Sequence, residues 1–204
     1  GLVSNFSESF VLNFTGPFAL ALGATTGQIG WLSSLVNLAS ALALFPGARL
    51  VERTGRRKQI VVWTGGGVAR LLLLVIALVP FFIQGTAAIY AFIALIALRA
   101  FFGQLGFPAW SSMLADLVPA GIRGRYFASR NIGLAVAALI AAPLAGWLAD
   151  QLGLPRGYQV SFFLAGLIGF GATAIFARIP DHPLPPVSQA TTVKPEGIRS
   201  ILRT

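Results

Sequence analysis

The chain has 204 residues, of which 56% are hydrophobic and only 10% are charged. An ordinary soluble domain carries about 25% charged residues, so this chain has too little polar surface to enclose a single water-soluble core. We therefore expect a membrane-embedded bundle surrounded by the lipid bilayer. The sequence contains no cysteine, which excludes disulfides, thiolate metal ligands and a cysteine nucleophile.

The formal net charge of +9 raises the question of a nucleic-acid partner. Proteins that bind nucleic acid carry their Lys and Arg residues on a solvated face or in an extended arm. Here the basic residues lie in short gaps between apolar runs. We therefore expect no nucleic-acid partner.

Six stretches are long and apolar enough to cross a membrane. A helix needs about 20 such residues to cross a hydrocarbon core about 30 Å thick. We predict an all-α bundle over residues 1–180, with short antiparallel returns between the helices. The six transmembrane spans are predicted near residues 2–23, 28–47, 59–83, 86–115, 126–149 and 159–179.

The basic residues predict how the bundle is oriented, because short cytoplasmic loops retain Lys and Arg. They cluster after spans two and four and in the tail, whereas the opposite gaps offer only Arg156, offset by Asp150. We expect a multi-pass protein of the inner (plasma) membrane with both termini in the cytoplasm. The proline-containing residues 181–204 predict a cytoplasmic linker toward a carboxy-terminal six-helix half of the same polypeptide.

A weak internal repeat relates the ends of spans two and five. Residues 46–55 and 143–153 each begin with proline and then place leucine, an acidic residue and glycine in the same order, with one inserted residue. One of these ends leads to the cytoplasm and the other leads outside. The pattern predicts two three-helix units of inverted topology, as in secondary transporters.

The segment after span two, ARLVERTGRRK at residues 48–58, resembles the signature loop of the major facilitator superfamily, G-x-L-a-D-R-x-G-R-R/K. It departs from that pattern at Ala48, which adds a methyl group at a helix contact, and at Glu52, which replaces aspartate. The positions that match the signature are Leu50, Arg53, Gly55, Arg56 and Arg57.

The resemblance extends over the whole chain and implies the amino-terminal half of a twelve-helix secondary transporter. Such proteins move small solutes by alternating access, with the signature loop acting as a cytoplasmic gate. In the family a basic residue of the loop pairs with an acid at the end of span four. Carried over to this sequence, Arg56 would face Asp116, with Arg125 nearby. Residues 142–146 partly match an element of drug–proton antiporters, which favours proton-coupled efflux.

Three charged residues lie more than four residues from either end of a predicted span: Glu8, Arg70 and Arg99. Buried ions in a membrane pair with one another or line a wet cavity. At about 1.5 Å per residue, Glu8 and Arg99 both lie roughly 20 Å from the outer ends of their spans. We predict that they pair as a coupling or substrate-contacting element. The alternative is that Glu8 reaches the membrane interface, while Arg70 is expected to bond a neighbouring helix, for example at Asn37.

Other polar residues within the spans are candidates for lining a cavity. On span one they share a face at helical spacing, and hydrogen bonding between helices explains them equally well. These candidates are Asn5, Asn13, Asn37, Gln104 and Asn131.

Function classes other than transport have weaker support in the sequence. An intramembrane enzyme needs paired acids, a Ser–His pair or metal ligands within the spans, and the single histidine, His182, lies in the predicted linker. We therefore expect no catalytic residues, metal or cofactor. A stand-alone six-helix protein that dimerises into a transporter or channel, or acts as a non-transporting scaffold, stays open as the alternative.

Overall fold

The computed structural model describes residues 2–178, and the predicted linker at 181–204 lies outside them. Span one is α1 and span two is α2. Span three comprises α3, a π-helical stretch and α4, and span four comprises α5 and α6. After a short 3₁₀ turn, α7 and α8 form spans five and six. The bounds are α1 Leu2–Ala21, α2 Thr26–Thr54, α3 Arg57–Val61, π-helix Val62–Val68, α4 Ala69–Phe82, α5 Thr86–Leu105, α6 Phe107–Leu117, 3₁₀ turn Ala120–Ile122, α7 Arg123–Leu152 and α8 Arg156–Ala177.

The all-helical membrane bundle predicted from the sequence is confirmed. Among the described residues, spans two to six are each long and apolar enough to cross a membrane. α1 has 20 residues and therefore a length of about 30 Å, but its serine, asparagine and glutamate residues make it less apolar.

Several helix boundaries differ from the prediction. α2 continues to Thr54, so residues 48–54 of the expected loop form its last two turns. Gly55 ends this helix with a φ of 63°, a left-handed conformation that side chains other than glycine rarely adopt. Span four was predicted as one helix but is interrupted at Gly106, just before Pro108.

The helix contacts follow the predicted inverted repeat. Span one packs against spans five and six, and span four packs against spans two and three. In the predicted repeat, span one corresponds to span four, span two to span five and span three to span six. The contacts of span one with spans five and six therefore correspond to the contacts of span four with spans two and three, which are also observed. Gly55 and Gly153, which end spans two and five, both have positive φ values, of 63° and 71°. The helix contacts therefore fit two related three-helix units, whereas the turns differ, with ψ of −3° at Gly55 and 166° at Gly153.

The two ends of the bundle differ in charge. Apart from Arg70, Arg99 and Arg156, every Lys and Arg of the described chain lies where span two ends, where spans three and five begin, or where spans four and six end. Because neighbouring spans are antiparallel, these sites lie at one end of the bundle. We call it the basic end.

Aromatic side chains fill the interior toward the opposite end. Phe18, Phe92 and Phe162 are almost fully buried, and their ring centroids lie 5.0 to 6.1 Å apart. Lipid is as apolar as these side chains, so van der Waals packing, rather than the hydrophobic effect, holds them together. The cluster joins spans one, four and six.

Spans two and four approach closely at Gly47, one residue before the position expected from the signature loop. A Cβ atom at Gly47 would lie 2.5 Å from the carbonyl oxygen of Leu105. Ala48 is only half-buried. The close contact between spans two and four therefore depends on Gly47, and the methyl group of Ala48 is compatible with it.

Candidate functional site

The site is built around Glu8, whose carboxylate is held by two arginines from different helices. Arg99 Nη2 in α5 donates to both carboxylate oxygens of Glu8, at 2.8 and 2.7 Å. Arg70 Nη1 in α4 lies 3.3 Å from Glu8 Oε2. One acidic side chain of span one therefore joins spans three and four.

Arg70 is also fixed by contacts that do not involve Glu8. Its Nη1 atom donates to the Ser7 hydroxyl at 2.9 Å, and the Ser7 hydroxyl donates to the carbonyl oxygen of Ala165 in α8 at 2.6 Å. Its Nη2 atom lies 3.4 Å from the Ser4 hydroxyl. The polar residues of α1 thus bind an arginine that lies within the apolar spans.

Gly169 provides the space that Arg70 occupies. A Cβ atom at this position would fall directly against Cδ and Nε of Arg70. The methylene stem of the arginine therefore crosses span six where a backbone without a side chain lets it pass. Sequence reasoning missed this role, because a glycine in an apolar helix most often indicates helix packing alone.

The three charged side chains carry one net positive charge inside the spans. The side chains of Arg70 and Arg99 are only 9% and 12% exposed, whereas that of Glu8 is 34% exposed. The Nε atoms of both arginines are buried and have no hydrogen-bond partner within the described residues. The Glu8 side chain is consequently the most exposed of the three, and the two arginine side chains are more deeply buried.

The structure brings Glu8 and Arg99 together as the depth estimate predicted. The expected partner of Arg70 was wrong, because Arg70 bonds Ser7 and Glu8 of α1 rather than Asn37. α2 packs against α5 and α6, whereas α4 packs against α5 and α8. Asn37 is exposed, on a helix that is not a principal neighbour of α4.

The remaining cavity candidates are more dispersed. Asn13 is exposed and its Nδ2 donates to the carbonyl oxygen of Ser9 within the same helix, at 2.8 Å. Asn131 in α7 is exposed and Gln104 in α5 is half-buried. The side chain of Asn5 lies outside those that the structure describes. Of the predicted candidates, Glu8 and Arg99 are therefore the two whose direct contact the structure shows.

At the basic end, Asp116 pairs with Arg57 rather than with the predicted Arg56. Arg57 Nη1 lies 2.7 Å from Asp116 Oδ2, and the side chains are 6% and 58% exposed. Arg56 completes the turn after Gly55 and is exposed, whereas Arg57 begins α3 and is directed at α6. The helix begins at Arg57, two residues before the predicted start of span three, and Arg57 rather than Arg56 is the buried arginine.

Most other residues of the signature loop lie on the surface. Glu52, Arg53 and Arg125 are exposed, and Leu50 is 36% exposed. Arg123, which sequence reasoning used only for orientation, donates to the carbonyl oxygens of Ala115 and Val118, at 2.6 and 3.0 Å. It thereby satisfies backbone acceptors at the end of α6.

An antiparallel bundle of apolar helices with charged side chains joined at membrane depth defines a multi-pass membrane protein. Comparison with protein families matches residues 1–204 to the Major Facilitator Superfamily. The chain therefore belongs to the major facilitator superfamily, and its relatives are transporters rather than enzymes. The family resemblance of the signature loop is confirmed.

Two kinds of curated transporter are similar to the chain. Multidrug resistance protein MdtH of Proteus mirabilis is 29% identical over 178 residues, which cover 79% of this chain and 42% of that protein. The probable galactarate/D-glucarate transporter GudP of Escherichia coli is 25% identical over 187 residues, covering 88% of this chain and 38% of that protein. The chain thus spans about two fifths of these relatives. No solved structure matches it.

The contacts of Glu8 predict coupled effects of neutral substitutions. Glu8→Gln leaves two buried guanidinium groups without their counterion, so we expect a larger loss of thermal stability than for Arg99→Gln. In the double variant the losses should not add, with a coupling of about 0.5–3 kcal/mol. Thermal unfolding of the full-length protein in detergent measures this, with Asp150→Asn as the control for a lost surface carboxylate. Additive losses would contradict a direct pair.

The fit of Arg70 against span six predicts that Gly169→Ala is destabilising. The new methyl group must displace the arginine stem, at a cost of about 1–3 kcal/mol for an overpacked site. Gly171→Ala is the matched control, because a Cβ atom there has nothing within 4 Å. The melting temperature of Gly169→Ala should therefore be lower than that of Gly171→Ala. Equal melting temperatures would show that the space around Arg70 adjusts to the added methyl group at no cost.

Proposed function

We propose that this chain is the amino-terminal half of a secondary transporter that moves a small solute across the membrane by alternating access. The observation that carries the proposal is the carboxylate of Glu8 held between Arg70 and Arg99. Ionisable residues at such depth are costly and mark substrate or ion pathways. Membership of the major facilitator superfamily supports the same conclusion.

Glu8 is proposed as the coupling residue. Its side chain is the most exposed of the three charged groups and is bound to arginines on two other spans. Protonation or a bound solute would weaken its attraction to Arg99 and change how spans one and four are held together. Proton-coupled efflux is the proposed form of transport, and its support is the partial match of residues 142–146 to an element of drug–proton antiporters.

The basic end is proposed as the cytoplasmic gate, with both termini on the same side of the membrane. The Arg57–Asp116 pair joins α3 to α6 within this half. Glu52 and Arg53 at the end of α2 are exposed and available to residues outside the described chain. We expect them to contact the second half when the cytoplasmic side is closed.

A carboxy-terminal six-helix half is the proposed partner, connected through residues 181–204 after a bundle that occupies residues 1–180. Spans two and five expose continuous apolar faces that it would cover. A second copy of the chain is the alternative occupant, and the molecular mass of the complex in detergent distinguishes the two. The exposed side chains are Leu38, Leu42, Phe45, Ile132, Val136 and Leu139.

The names of the relatives suggest two solutes for the transport test. One relative is named for multidrug resistance and another for galactarate and D-glucarate. The full-length protein is reconstituted into liposomes with an imposed pH gradient, and flux of ethidium and of D-glucarate is measured separately. We expect flux of one of them above that of empty liposomes, and loss of that flux when an ionophore collapses the gradient.

Glu8→Gln should reduce the observed flux at least about ten-fold, whereas Asp150→Asn should leave it unchanged. The two variants remove the same charge, but Asp150 lies at the far end of span five and is exposed. Only variants that are monodisperse in detergent before reconstitution are compared. Wild-type flux in Glu8→Gln would exclude the coupling role, and no flux of either solute would reject both substrate classes.

A further inference from the structure

A notch opens between spans three and six at the basic end of the bundle. It encloses about 320 Å³ and is lined by residues of α3 and the π-helical stretch on one side and by the last residue of α8 on the other. The exposed Arg178 follows α8 directly. The lining residues are Lys58, Gln59, Val62, Trp63 and Ala177.

The notch changes from polar to apolar with depth. Lys58 and Gln59 lie near the start of span three, and Trp63 lies about 7 Å deeper at about 1.5 Å per residue. Trp63 is 72% exposed, so it is not packed within the described chain. Tryptophan is enriched at membrane interfaces, where its ring meets apolar chains and its N–H meets polar groups. The notch thus combines a cationic rim with an apolar floor.

The surrounding charge favours an anion. Most basic residues of the described chain lie at this end, where the acidic residues are Glu52 and Asp116. Asp116 is already paired with Arg57. Basic pockets between helices at one face of a membrane protein attract anionic lipid headgroups.

We propose that this notch binds an anionic phospholipid, with the phosphate against Lys58 and an acyl chain along Val62 and Trp63. A lipid fits better than a free phosphate, because the lower part of the notch is apolar and lies at acyl-chain depth. The site is separate from the Glu8 cluster. The proposal does not depend on which solute the protein transports.

Native mass spectrometry of the full-length protein tests the proposal, using phosphatidylglycerol and phosphatidylcholine of matched chain length. We expect phosphatidylglycerol to bind more tightly. Lys58→Gln should weaken its binding about five-fold, as expected for the loss of one basic residue near a lipid surface, and should leave phosphatidylcholine unaffected. Ala177→Trp fills the notch while keeping every charge, and should cause a loss of similar size.

Arg125→Gln is the matched control, because it removes an exposed charge at the same end but outside the notch. It should retain wild-type binding. An equal loss in Arg125→Gln would show diffuse attraction to the basic end and overturn the proposal. So would full binding in Ala177→Trp, or competition by glycerol phosphate as effective as that by the lipid. If Ala177→Trp does not fold, Trp63→Ala tests the apolar floor instead, because it removes the largest apolar side chain of the notch. It should likewise weaken the binding of phosphatidylglycerol, and unchanged binding would overturn the proposal.

Discussion

Glu8 neutralises one of two arginines within the apolar spans, and the packing of the surrounding helices depends on this contact. Apolar contacts between helices in a bilayer are hardly directional, because lipid tails compete with them. A carboxylate that reaches guanidinium groups on two other spans is directional. It specifies which faces of spans one, three and four meet. The phenylalanine cluster packs the same bundle nearer the end opposite the basic end.

The two arginines differ in how firmly they are held. Arg70 has hydroxyl partners on span one and its stem lies against Gly169, so it keeps contacts when Glu8 moves away. The hydrogen bonds described for Arg99 go to Glu8 alone. Under the proposed alternating access, we expect Arg70 to stay in place and Arg99 to be the partner that Glu8 exchanges. The inverted repeat places the exchangeable contact between corresponding helices, spans one and four.

Part of this arrangement was predictable from the sequence. The number of spans follows from apolar length, and the pairing of Glu8 with Arg99 follows from their equal depth. Depth along a helix gives no information about which neighbour a side chain faces, and for this reason Asn37 was the wrong partner for Arg70. The choice between Arg56 and Arg57 depended on where α3 begins, which the turn after Gly55 determines. The role of Gly169 depends on a contact between distant spans, which no local pattern encodes.

The most direct test is a cryo-electron microscopy structure of the full-length protein in a lipid nanodisc. The quantity to measure is the distance from the Glu8 carboxylate oxygens to the guanidinium nitrogens of Arg70 and Arg99. We predict that at least one nitrogen of each arginine lies within about 3.5 Å of the carboxylate, the upper limit for a hydrogen bond. A Glu8 side chain directed at the membrane interface, with Arg70 and Arg99 bound to other acids, would contradict the account.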